Sequence, residues 1–353
     1  MLKIRKQGSG LTVRNLTRPW SVLVGLSVVC ALSVIALSAS SVEAPTVVHG
    51  DVWVLPRQTL AIAACFADGE VWVSLARGVM GVFDTRGNVK RWLSADFVGG
   101  MPVYDGVRGC VYISGPLQSA VYVVDAQTHE HVETIQVPAP VRPLTIAGDV
   151  AYANAFDESV LYVVDLVTQR VVQDVKLSRP GCESVVVGDK LYVATGTEPG
   201  PDNKWSMSGA AVDIVSLTDL RLEKTLPVPG AHLRALAWDS GHYVYAASNV
   251  AGKLVRLDTT TDTLDDDFEL DVGRVKDIVI DPVHKLALLS CEGAREELSV
   301  VSLETLQETT RFEAGSGFMA VEREPGGALR NIWVPNVNGS YVLHLNASEL
   351  VSD

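Results

Sequence analysis

Apolar and polar residues alternate along most of the chain beyond Val47, in short runs that stop at a small polar residue followed by a Thr- or Ser-bearing turn. The copies read VFDTRG at Asp84, VVDAQT at Asp125, VVDLVT at Asp165, IVSLTD at Ser216, VRLDTTT at Asp258, VVSLET at Ser302 and LHLNAS at Asn346. Alternation with a period of two puts one face of a strand inward and the other outward. Ahead of each turn lies a second run of the type VYI, AYA, LYV, VYA or IWV, rich in the β-branched and aromatic residues that suit a pleated, buried surface. Ahead of that run comes a third, closed by a dipeptide such as Asp68-Gly69, Gly148-Asp149, Gly188-Asp189 or Ser240-Gly241, which accepts the positive φ of a tight hairpin. A more polar fourth run, HVETIQV or RVVQDVKL, completes the unit.

The turn residues are separated by steps of 41, 40, 51, 42, 44 and 44 residues. A repeat of that length made only of strands predicts an all-β protein, a seven-bladed β-propeller of four-stranded antiparallel blades. The seventh unit stops soon after its third strand, whereas VVHGDVWVL, Val47 to Leu55, precedes the first inner strand as an outer strand would. The N-terminal strand is therefore expected to complete the last blade and close the ring, which removes an open sheet edge. Such a ring is one domain, residues 45–353, despite its length.

The units CVYISGPLQSAVYVVDAQTHEHVETIQV, VAYANAFDESVLYVVDLVTQRVVQDVKL and YVYAASNVAGKLVRLDTTTDTL resemble the repeat of the YVTN/YncE-like seven-bladed propellers, and the resemblance covers residues 46–353. Ser216 and Ser302 depart from it where the repeat carries Asp. It implies the fold; propellers of this kind serve as binding scaffolds, lyases, lactonases and electron-transfer subunits, so it selects no activity.

The first 44 residues have a different character. Lys3, Arg5, Lys6, Arg14 and Arg18 precede an uncharged apolar run from Trp20 to Leu37 and the small-residue stretch SASSVEA. This order reads as an export signal, or as an uncleaved anchor, because the run is long enough to span a bilayer. A secreted, periplasmic or outer-face location in the cell envelope is expected. Val29 before Cys30 disfavours a lipoprotein signal. Without its basic leader the chain keeps 24 basic residues against 41 or 42 acidic ones, a balance that argues against nucleic acid or anionic lipid as partner. Cys65, Cys110, Cys182 and Cys291 remain, with no CxxC or CxxCH, which excludes covalent c-type haem and zinc-ribbon chemistry. Isolated buried thiols are expected rather than a disulfide framework.

Candidate chemistry concentrates where the outer strand of one blade leads into the inner strand of the next. Five of those connections carry an arginine: Arg57, Arg142, Arg179, Arg234 and Arg274, with His232 and Lys276 beside two of them. Guanidinium forks converging on a partly desolvated pocket make an anion site. The alternative for each is an ion pair with a nearby acid such as Glu183 or Asp277, tying blade to blade. The 51-residue step holds the loop TGTEPGPDNKWSMSG on the same face, and its Trp205 could cover a ligand. His129-Glu130-His131 lacks a third ligand of metal type, and Asp265-Asp266-Asp267 lacks the spacing of a calcium loop, so both are read as exposed turns with no metal. Asn338 and Asn346 open glycosylation sequons. No nucleophile motif, zinc motif or phosphate loop occurs.

These observations predict an exported, monomeric propeller without cofactor that binds an anionic small molecule or another exported protein at an Arg-lined channel mouth, with Arg57, Arg142, Arg179, Trp205, His232, Arg234 and Arg274 as its contacts. A propeller enzyme of the lyase or lactonase kind and a structural envelope protein are the alternatives.

Overall fold

The computed structural model describes residues 50–55, 59–76, 78–94, 100–115, 117–196, 209–250, 252–269, 273–293 and 296–350. The leader and its export or anchor reading lie outside them, as do Arg57 and Trp205.

Seven four-stranded antiparallel sheets follow one another along the chain. They comprise β2–β5 within Ala61–Ser94, β6–β9 within Met101–Gln136, β10–β13 within Val141–Lys176, β14–β17 within Gly181–Pro227, β18–β21 within Leu233–Glu269 and β22–β25 within Arg274–Glu313. The seventh sheet is β26 (Ala320–Arg323), β27 (Leu329–Pro335) and β28 (Tyr341–Asn346), completed by β1 (Asp51–Val54) in the order β1-β28-β27-β26. The N-terminal strand thus closes the ring, with Asp51 opposite His344 and Val54 opposite Tyr341. A parallel bridge between Ala63 and Phe318 joins the first and seventh blades at the inner edge.

The alternation seen in the sequence is a burial pattern. In the third strand of blade 3, Val160–Asp165, the four central residues are buried, whereas its outer neighbour Arg170–Lys176 is mostly exposed. The aromatic residue of each VYI-type run fills the space between blades. Trp72, Tyr112, Tyr152, Tyr192, Tyr245 and Trp333 are all buried, and Leu288 takes that place in blade 6. Apolar clusters accordingly run between neighbours, as where Tyr192 and Val212 of blade 4 meet Leu233 and Val244 of blade 5.

The recurring turn residue is explained by its hydrogen bonds. Asp125 Oδ1 accepts from the amides of Gln127 and Thr128, Asp165 Oδ1 from Val167 and Thr168, and Asp258 Oδ1 from Thr260 and Thr261. Ser216 and Ser302 accept one amide each, from Asp219 and Thr305. Four residues beyond the turn residue, His129, Gln169, Leu220, Asp262 and Leu306 take positive φ to re-enter the outer strand. From this end of the ring come blade-to-blade ties: His129 Nε2 lies 2.6 Å from Glu70 Oε2, and Lys190 Nζ 2.5 Å from Asp262 Oδ2.

Candidate functional site

The opposite end of the ring gathers the connections into the inner strands. Five of those strands lose register one or two residues after they begin: β2 (Ala61–Ala67) at Ile62, β10 (Val141–Ala147) at Arg142 and Pro143, β14 (Gly181–Val187) at Cys182, β18 (Leu233–Trp238) at Arg234 and β22 (Arg274–Asp281) at Lys276. A bulge leaves one residue unpaired and re-aims its side chain. Three of these five positions hold a cation.

Arg142 and Arg234 are each set against a ring. Arg142 Cζ lies 4.3 Å from the Phe156 centroid, and Arg234 Cζ 5.5 Å from that of Phe318. Phe318 leads into blade 7, so this contact joins two blades that are not neighbours in the ring. Such contacts hold a guanidinium flat while leaving its edge available to an acceptor. The Nε atoms of both arginines are buried and meet no acceptor, and among the described residues neither guanidinium forms an ion pair. Thr59 Oγ1, Glu296 Oε2 and Ser316 Oγ, on the same end of the ring, are also buried without a hydrogen-bond partner. Buried polar atoms are rarely left so unless something else satisfies them.

The local charges show what the site favours. Burial, then the neighbouring charge of Arg142, holds Arg234 below the usual guanidinium range. Burial, then Arg234 and Arg142, lowers His232, which is therefore a neutral imidazole near pH 7. Burial and Arg234 also lower Lys276, although its Nζ lies 2.7 Å from Glu292 Oε2. Mutual repulsion among Arg142, Arg234 and Lys276 makes an added negative charge favourable.

Glu183 and Asp277 do tie blades together, but through the backbone. Glu183 Oε2 accepts from the Leu236 amide at 3.1 Å, and Asp277 Oδ2 from the Met319 amide at 2.7 Å, each on the next blade. The carboxylates expected as arginine partners are thus engaged by amides. Burial and the nearby Asp277 raise Glu183 well above the usual carboxylate range, and burial pushes Asp277 up to about 7. Burial likewise pushes Glu296 up to about 7, against the hydrogen bond from Asn338.

The structure brings Arg142, His232 and Arg234 together from the sequence-derived set. Arg274 is the exposed first residue of β22, paired in register with Glu292 ahead of the bulge. The Arg179 guanidinium lies flat on the backbone of Gly209, where a Cβ would stand 2.8 Å from its Cζ. Arg57 and Trp205 are outside the described residues. Lys276 occupies the bulge position, and Phe156 and Phe318 are the supports that sequence reasoning missed. His129 and His131 diverge, to Glu70 and to Thr134 respectively. Among the described residues no three His, Cys, Asp or Glu side chains gather to hold a metal ion. The four cysteines described are free thiols.

No family model matches the sequence, and no curated protein matches it. The fold has solved counterparts. Hydrazine synthase of Kuenenia stuttgartiensis matches with a TM-score of 0.70 and 15% identity, over 88% of this chain and 98% of that one. The two share a propeller. At this identity the likeness is one of fold alone.

Proposed function

We propose that this propeller is an exported binding protein that captures an anionic ligand at the channel mouth, through Arg142 and Arg234 with Lys276 and the neutral His232 alongside. The observation that carries the reading is the pair of ring-supported guanidinium groups, each with a buried Nε that meets no acceptor. A structural arginine in an acidic protein would be paired with a carboxylate; here the adjacent carboxylates accept backbone amides instead. The basic segment, apolar run and small-residue stretch of the leader support export.

The test is a ligand screen by thermal shift with anionic metabolites, polyanions and divalent metals, repeated on Arg142→Ala with Arg234→Ala. A ligand present at a hundred times its Kd stabilises the folded state by about 2.7 kcal/mol, which is read as a rise in Tm. An anion that raises Tm in the protein and not in the double variant supports the reading. A shift that only metals produce, or an anion effect that survives in the variant, overturns it.

A further inference from the structure

Glu183 and Asp277 stand on either side of Arg234. Each is the residue after a bulge, in blades 4 and 6, while Arg234 is the bulge residue of the blade between them. Their oxygens accept amides of the next blade, Leu236 for Glu183 and Met319 for Asp277, while the second oxygen of Asp277 accepts the amide of Ile278 in its own strand. The other charged or titratable groups in the neighbourhood are Arg142 of β10, Cys182 of β14, His232 ahead of β18, and Lys276 of β22 with Glu292 and Glu296 beyond it. Two carboxyl groups in one buried, electrostatically linked site resist being ionised together. Arg234 is the cation that offsets both.

An anion seated on Arg234 redirects that offset to itself and adds its own negative charge beside the carboxyl groups. Protonation of one of them relieves the repulsion. We propose that the channel mouth takes up a proton together with its anion, with the Glu183–Asp277 pair as the proton acceptor. The inference rests on the anion-binding reading above and concerns how that site is controlled. The proton comes from solvent and forms an O–H bond on one carboxylate oxygen, while the other oxygens keep their amide donors.

Linkage fixes the direction of the effect. A group whose proton affinity rises on binding makes binding tighter as pH falls, over the interval between its titration in the bound and the free protein. Burial pushes Asp277 up to about 7 before any anion is seated, so the interval begins near there and extends upward. Each unit of displacement is a tenfold change in Kd.

Sulfate is the probe, because its charge is constant from about pH 5.5 to 9 and any slope then belongs to the protein. Calorimetric titration of sulfate into the full chain should show Kd weakening by about tenfold per pH unit above about pH 7, and uptake of about one proton per anion in buffers of different ionisation heat. Glu183→Gln combined with Asp277→Asn keeps one acceptor oxygen on each side chain for its amide on the next blade, Leu236 or Met319, and should bind sulfate without pH dependence. If that variant fails to fold, Glu183→Gln alone should move the dependence to lower pH, since the remaining carboxyl group has Arg234 to itself. Equal Kd at every pH, or a slope that persists in the double variant and so belongs to His232, overturns proton coupling and leaves anion binding standing. No sulfate binding at any pH overturns both.

Discussion

Asp125 Oδ1 accepts two backbone amides across its turn, and the same role falls to Asp165 and Asp258 in other blades. A hydrogen bond to a charged acceptor contributes more than a neutral one, so Asp125→Ala is expected to cost about 1–2 kcal/mol in urea unfolding. Asp125→Ser should recover part of this, since Ser216 and Ser302 hold equivalent turns with one amide each. That interchange explains why the repeat was legible in the sequence despite its substitutions: any short acceptor at that place forms the turn. The second-strand aromatic residues were legible for a similar reason, because each must fill the gap between two blades. Phe156 and Phe318 gave no such signal. Each supports an arginine at a single point, and nothing about their spacing recurs.

At the scale of strands, the bulges divide the arginine series in a way that its spacing did not show. Arg142, Arg179, Arg234 and Arg274 all fall near the start of an inner strand in the sequence, yet only Arg142 and Arg234 occupy the bulge. Arg274 sits two residues earlier than Lys276, and Arg179 three earlier than Cys182, so neither takes the unpaired bulge position. The seam strand was legible as a missing outer strand. Its anchor is Trp53, which is buried with ring centroids 6.2 Å from Phe83, 6.1 Å from Trp333 and 5.6 Å from His344. Trp53→Ala should cost about 3–5 kcal/mol, the range for emptying a large aromatic site, and should lower the denaturation midpoint accordingly. A variant that melts like the parent would show that β1 contributes little to closure.

For the whole molecule, two sets of carboxyl groups pull the pH of greatest stability in opposite directions. Hydrogen bonds within the turns, first among them those from Asn88, Thr128, Thr168 and Thr260, hold Asp84, Asp125, Asp165 and Asp258 below the ordinary carboxylate range. Their contribution is present above the unfolded value near 4 and is lost as pH falls through the lower folded values. Burial raises Glu183, Asp277 and Glu296, the last two to about 7. Groups raised in this way favour the folded state most at low pH, and that advantage declines between about pH 4 and 7. Thermal melting from pH 3 to 8 should therefore peak between about pH 4 and 6, and Asp277→Asn should flatten the falling limb. A maximum at pH 8 would contradict the assignment. The seventh blade adds a constraint in time rather than in energy. Its outer strand is the earliest part of the ring to be synthesised and its other three strands are the latest. Until Tyr341–Asn346 has been made, Asp51–Val54 has no strand to pair with, so six blades can form in sequence while the ring stays open. Closure brings together segments from opposite ends of the chain and bears the loop entropy of everything between them. A polypeptide still on the ribosome consequently holds an open arc of blades, and the channel mouth where Arg142 and Arg234 meet their rings takes its final form only after Tyr341–Asn346 has emerged and paired with Asp51–Val54.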